Sequence, residues 1–179
     1  MEPKKLTVDQ DGVNRIITRM AHEIIEKNQG AKELCIIGIR TRGVHVGERI
    51  ARIIKKTEDI EVPFGLLDIT LYRDDVGSIG TQPIVKETKI PFDINDKTII
   101  LVDDVLFTGR SIRAALDAIM DFGRPKCIKL AVLIDRGHRE LPIRADFVGK
   151  KVFTSLKETV EVNLKEIDNI DRIRIVNQK

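Results

Sequence analysis

Lys97–Arg113 reads KTIILVDDVLFTGRSIR, and this stretch decides the fold. It opens on a continuous apolar run, Ile99–Val102, of the kind expected for a strand buried on both faces. Asp103 and Asp104 follow as adjacent carboxylates, then Val105 and Leu106, then a turn rich in hydroxyls and glycine, Phe107-Thr108-Gly109-Arg110-Ser111. Beyond the turn the period changes. Ile112, Ala115, Leu116 and Ile119 fall on one face of a helix, which Gly123 and Pro125 end. A strand feeding a helix through such a turn gathers backbone N–H groups and a helix N-terminus around one point, which suits a phosphate. The acids stand at the carboxyl end of the strand, where open α/β sheets bind their ligands.

Acids and turn make different chemical demands. Carboxylates repel phosphate, so Asp103 and Asp104 suit a vicinal diol, or Mg2+ held through water. A ligand with a phosphate at one end and a ribose diol a few ångströms away satisfies both halves. An acidic pair that merely ends a strand, or a receiver-like metal site, is the alternative for the acids alone; with Thr108–Ser111 attached, the sugar-phosphate reading leads.

The run resembles the phosphoribosyl pyrophosphate signature of type I phosphoribosyltransferases. That resemblance implies that Asp103 and Asp104 take the ribose hydroxyls. It also implies that Thr108, Gly109, Arg110 and Ser111 cradle the 5′-phosphate, largely through backbone amides, and it counts Val105, Leu106 and Phe107 with them among the substrate-binding residues.

Composition bounds the rest. A chain of 179 residues, 42% hydrophobic and 33% charged, is expected to form one soluble globular domain over residues 1–179. Its apolar runs are far short of a membrane span and no signal peptide opens it, so a cytoplasmic protein with no membrane partner is expected. Cys35 and Cys127 lie in apolar, strand-like segments and read as free thiols; no Cys/His spacing suggests zinc. A net charge of +3 proves no nucleic-acid partner by itself.

In chain order, residues Thr7–Asn28 read as a helix capped by Thr7 or Asp9, with Gly30 just past its end. Val13, Ile16, Ile17, Met20, Ala21 and Ile24 form its core stripe, and Arg15, Thr18, Arg19 and His22 lie opposite, readable as an ordinary solvated face. Leu34–Ile39 is a short buried strand running into Gly38-Ile39-Arg40-Thr41-Arg42-Gly43, and Val44–Lys55 is helical. Glycine lets backbone approach a ligand, and arginine matches phosphate oxygens bidentately. Thr41, Arg42 and Gly43, with Arg40, are therefore candidates for pyrophosphate, against a surface turn with solvated arginines.

Strand-like segments fill Ile60–Tyr72 and lead to Arg73-Asp74-Asp75, with the two acids read as solvent-facing. The glycine-containing stretch after them, about 72–91, lacks periodicity. A loop of that length is a lid or is disordered, and the resemblance implies a mobile loop that closes over the site, with Arg73 as an extra pyrophosphate ligand. Cys127–Ile134 reads as another buried strand, Val160–Val162 as extended, Leu164–Ile167 as a helical turn and Ile173–Val176 as a last strand. The expected fold class is α/β, a mostly parallel sheet flanked by helices, with a small hood at about 135–179.

Asp135-Arg136-Gly137-His138-Arg139-Glu140-Leu141-Pro142-Ile143-Arg144-Ala145-Asp146 narrows the resemblance. Together with Thr18 and His22, the Gly38–Gly43 loop, Leu71–Asp75 and the signature, it is similar to the bacterial family of pyrimidine-operon attenuation regulators that are also uracil phosphoribosyltransferases. The resemblance covers nearly the whole chain. It implies synthesis of UMP from uracil and phosphoribosyl pyrophosphate with Mg2+, and binding of pyrimidine-operon leader mRNA under UMP or UTP, promoting transcription termination. It gives the catalytic roles to Asp103, Asp104, Arg42 and Arg73, and the reading of uracil to Asp135, Arg136 and Val160. RNA contact falls to Thr18, Arg19, His22, His138, Arg139, Arg144 and Lys150, on a homodimer or higher homo-oligomer. No side chain stands out as a general base. With one Tyr and no Trp, neither basic piece offers rings for base stacking, so phosphate contacts and hydrogen bonds would carry recognition. A purine-type enzyme with merely solvated basic faces, and a nucleotide-sensing RNA binder without chemistry, are the competing readings.

Overall fold

The computed structural model describes residues 6–75 and 84–177. Its centre is β4 (Thr98–Leu106), preceded in the chain by β1 (Thr7–Val8), α1 (Gln10–Lys27), β2 (Leu34–Ile39), α2 (Arg42–Glu58) and β3 (Phe64–Leu67). After it come α3 (Arg110–Met120), β5 (Cys127–Asp135), β6 (Phe147–Lys151), β7 (Glu158–Asn163), α4 (Lys165–Asp168) and β8 (Arg172–Asn177). A five-stranded sheet runs in the order β3-β2-β4-β5-β6, every neighbouring pair parallel. A smaller antiparallel sheet, β1-β8-β7, forms the hood.

The apolar runs form the central strands because both faces are covered. Ile36 on β2, Ile100 and Val102 on β4, and Ala131 and Leu133 on β5 pack with α1 and α2. Their alternates Cys35, Ile37, Ile39, Ile99, Leu101, Leu130 and Val132 pack with α3. Burying each large aliphatic side chain contributes roughly 1.5–3 kcal/mol, and only a sheet sandwiched between helices can bury residues of both parities. The expected α/β sheet is thus what the chain builds, and both cysteines are free thiols, Cys35 buried.

Four details differ from the sequence reading. The first helix starts at Gln10, not Thr7: Asp9 accepts from the Gly12 N–H at 2.9 Å as the cap, and Thr7–Val8 pairs with β8. In consequence the hood, expected at about 135–179, takes one strand from the chain's beginning. Strand β4 runs on through both acids to Leu106, because β5 keeps pairing with it as far as Leu106↔Asp135. Finally, Phe147–Lys151 is a strand of the main sheet rather than part of the hood. Its apolar signal is Phe147 and Val148 with a glycine before two lysines, too thin for a periodicity argument; α1 packing over Phe147 decides it.

Candidate active site

At the carboxyl end of β4, Asp103 is only 8% exposed, and its Oδ1 accepts from the Asp104 N–H at 2.9 Å. Asp104 Oδ1 in turn accepts from Val105 N–H at 2.9 Å. Burial first, and then the charge of Asp104, push the Asp103 carboxyl well above the usual carboxylate range. The two acids therefore differ in environment although adjacent in sequence.

The Arg40–Gly43 loop, at the end of β2, lies directly on these acids. A Cβ on Gly43 would stand 2.5 Å from Val102 O and 3.0 Å from Asp103 Cα, so no other residue permits this approach. The Arg40–Thr41 peptide is cis. Arg42 Nη2 donates to both Asp168 oxygens, at 3.0 and 3.2 Å, which ties the loop to α4 of the hood. Arg40 N–H donates to Leu67 O, its Nε donates to Glu87 O at 2.9 Å, and Lys86 Nζ donates to Thr41 Oγ1 at 3.1 Å. Residues 84–89 are brought there by the Leu66↔Lys89 bridge and by Asp68, which accepts from Thr70 and from the Lys86 N–H. Burial raises the Asp68 carboxyl, but the hydrogen bonds from Thr70 and Lys86 and the charge of Arg40 outweigh it and hold the group below its ordinary value. Lys86 and Asp68 had no signal in the sequence, since their place depends on a bridge between distant segments.

Across the acids, the signature turn opens α3. Gly109 has φ +94°, and a Cβ there would meet Ile143 at 3.3 Å, so the turn needs glycine for both conformation and space. Thr108 O accepts from Glu140 and Leu141 N–H groups at 3.0 and 3.2 Å, laying the 136–146 segment along the turn. Arg110 points outward and donates to Glu140 at 2.6 Å and to Asp74 at 2.5 Å. Arg73 pairs with Asp75 at 2.6 Å. Asp74 and Asp75 keep the solvent exposure expected of them, and each also holds an arginine, because the folded chain returns Asp74 to the signature turn. Residues 76–83 of the expected 72–91 loop lie outside the described residues.

Arg136 is 4% exposed. Its N–H donates to Leu106 O, its guanidinium stands 4.0 Å from the Phe107 ring centroid, and Nη2 donates to Glu158 O at 2.6 Å. It joins the signature to β7, where Val160 is buried in the core. Arg139, expected on an RNA-contacting surface, is turned inward instead. It pairs with Asp135 at 2.7 Å and donates to Phe107 O at 2.8 Å and Ile143 O at 2.9 Å. Three backbone carbonyls and a carboxylate converge there, and the Arg139 guanidinium reaches them all.

The other basic residues fall into two places. Thr18, Arg19 and His22 are exposed on α1, where Arg19 also reaches Val148 O, Gly149 O and Glu23. Lys150 shares with Thr7, Asp9 and Arg15 a cleft of about 510 Å3. His138 and exposed Arg144 lie on the 136–146 segment beside the signature turn. Lys150, grouped in the sequence with His138 and Arg144, therefore sits with the α1 residues. Among the described residues, no three His, Cys, Asp or Glu side chains cluster as a metal site, and no helix is long and apolar enough to cross a membrane.

Comparisons with known proteins agree with this geometry. Residues 8–166 match the Phosphoribosyl transferase domain. The chain is 58% identical to Bifunctional protein PyrR of Pelotomaculum thermopropionicum over 173 residues, 97% of this chain and 96% of that one. It is 55% identical to Bifunctional protein PyrR of Clostridioides difficile, covering 98% and 99% of the two chains. Among solved structures, a hypoxanthine phosphoribosyltransferase from Staphylococcus aureus superposes with a TM-score of 0.70 at 20% identity, over 96% of this chain and 90% of that one. One from Trypanosoma cruzi gives 0.72 at 18%, over 98% and 91%. Those two likenesses bear on the fold; the relatives above half identity bear on descent, and by them the chain belongs to the phosphoribosyltransferase domain family and, within it, to the Bifunctional protein PyrR family.

Proposed function

We propose that this protein is a pyrimidine-operon attenuator that binds leader mRNA under uridine-nucleotide control and also converts uracil and phosphoribosyl pyrophosphate to UMP and pyrophosphate. One observation carries the enzymatic half. The Arg40–Gly43 backbone touches Asp103 through Gly43, while the Thr108–Ser111 turn opens from the same strand end. Diol, pyrophosphate and 5′-phosphate receptors thus share one point.

In the reaction, uracil N1 attacks the anomeric carbon as pyrophosphate leaves, and positive charge develops on the sugar. Asp103 and Asp104 hold the ribose hydroxyls and favour that charge. Thr41, Arg42 and Gly43, with Arg40, receive the departing anion; Arg42 exchanges part of its bond to Asp168 for it. Arg73 gives up its pair with Asp75 to become an extra ligand of the pyrophosphate. Thr108, Gly109, Arg110 and Ser111 grip the 5′-phosphate with backbone amides at the start of α3. Asp135, Arg136 and Val160 read uracil. The site offers carboxylate oxygens and no soft ligand, which fits Mg2+ arriving with phosphoribosyl pyrophosphate. Asp103 and Asp104 would hold it, and it would neutralise charge on the leaving group.

RNA takes the exposed basic surface: Thr18, Arg19, His22 and Lys150 on one side, His138 and Arg144 on the other. A homodimer doubles that surface by two-fold symmetry. The cytoplasm, where nucleotide and nascent transcript meet, is the location this role requires. Incubation with labelled uracil, guanine or hypoxanthine and phosphoribosyl pyrophosphate tests the enzyme: product from uracil alone is expected, and product from a purine alone overturns it. Titration with its own operon's leader RNA, with and without UMP, tests the regulator.

A further inference from the structure

Phe153 is 97% exposed, the largest exposure recorded for any large hydrophobic side chain among the described residues. A phenylalanine left in water forgoes roughly 1.5–3 kcal/mol of burial, so its place calls for an explanation. The exposed residues around it in the chain are Lys150, Lys151, Ser155 and Lys157, with Leu156 66% exposed beyond the turn. A single ring among lysines suits an anionic partner that also presents flat apolar faces.

The backbone that carries this ring is held on both sides. Val152 N–H donates to Asp135 O at 2.9 Å, and Val152 itself is buried in the core. Thr154 Oγ1 accepts from Arg136 Nε at 3.2 Å, and Thr154 O lies 2.5 Å from His138 Nε2. A ring projecting from so fixed a segment loses little freedom when something stacks on it.

We infer that Phe153 is a stacking platform for an unpaired base of the leader RNA. The inference rests on the RNA-binding reading above and deepens it by naming an aromatic contact that the sequence reading did not find. Lys150, Lys151 and Lys157 supply the phosphate contacts on either side of the stacked base. The anchors of the segment run to Asp135 and Arg136, the residues proposed to read uracil. A nucleotide in the site and a base on Phe153 are therefore held by two segments hydrogen-bonded side by side, which gives nucleotide-dependent RNA binding a physical route.

Phe153→Trp installs the only tryptophan in the chain and serves as a probe at the platform itself. With in vitro transcribed leader RNA and saturating UMP, its emission is quenched on adding RNA and unchanged by UMP alone. Phe153→Ala raises Kd for that RNA about tenfold or more, the scale of one lost base–aromatic stack, and Phe153→Tyr restores it. Uracil kcat and KM stay at the wild-type values in all of these variants. Wild type that binds no leader RNA removes the RNA-binding reading and the platform with it. Wild type that binds, with Phe153→Ala binding equally well, overturns the platform alone. A raised uracil KM in Phe153→Ala would put the ring in the base pocket, and a lower mass by light scattering would put it between copies of the chain; either overturns the inference.

Discussion

Asp103 sits near the carboxyl end of the central strand, one residue before an acid that sees more solvent, and burial together with that neighbour raises its proton affinity. The unfolded chain ionises the same group in the ordinary carboxylate range. Folding is therefore unpenalised below that range and loses stability as pH rises from there through the raised folded pKa. Asp103→Asn removes the penalty and keeps an oxygen to accept from the Asp104 N–H. Its melting temperature should exceed that of wild type at about pH 8, with the gap closing towards about pH 4, while kcat/KM for phosphoribosyl pyrophosphate falls. Equal melting curves at both ends of that range would mean that the carboxyl is not destabilised by its site. Arg139 illustrates the opposite case, a residue whose charge is spent internally. Arg139→Ala leaves Asp135 and three carbonyls without their donor, at a cost of roughly 1–3 kcal/mol. Calorimetry should record that loss and steady-state assays a raised uracil KM. A variant defective only in RNA binding would return Arg139 to the surface role that the sequence suggested.

Among elements, the hood is joined to the core through α2. Arg49 Nη2 donates to Glu166 at 2.6 Å and to Asp171 at 2.7 Å, with Nε and Nη1 completing both pairs. Asp171 and Arg49 are largely buried, so this is a shielded ion triad rather than a surface pair. The shared hydrogen bonds with Glu166 and Asp171 raise the arginine's proton affinity and lower that of Glu166. Removing one member of such a group strands the others, at about 3 kcal/mol. Arg49→Met should lower stability by that order in denaturant titration. Hydrogen exchange should quicken in β7 and β8 and spare β4; uniform protection loss would mean that core and hood open together. None of this was legible in the sequence. Arg49 reads as an ordinary polar position of an amphipathic helix, and its partners lie more than a hundred residues away.

For the whole molecule, the nucleotide site and the basic surfaces share one chain, so any effect of one ligand on the affinity of the other is reciprocal. If UMP tightens leader RNA binding by some factor, RNA tightens UMP binding by the same factor. Calorimetric titration of UMP with and without saturating RNA measures it, and identical affinities would remove the coupling.

What the amino-acid order determined by itself is what depends on near neighbours. The apolar run, the acid pair, the glycine turn and the helical period of Ile112–Ile119 lie within one short stretch, and local backbone rules suffice to read them. The Gly38–Gly43 loop and Gly30 after α1 were legible for the same reason. Tertiary structure decided whatever depends on partners distant in the chain. It set Thr7–Val8 as a hood strand, Phe147–Lys151 as a fifth strand of the main sheet, Arg139 as an inward clamp, and Phe153 in solvent. Each of these follows from which hydrogen-bond edge or apolar face remains uncovered once the central strands have packed, and a sequence window cannot contain that information.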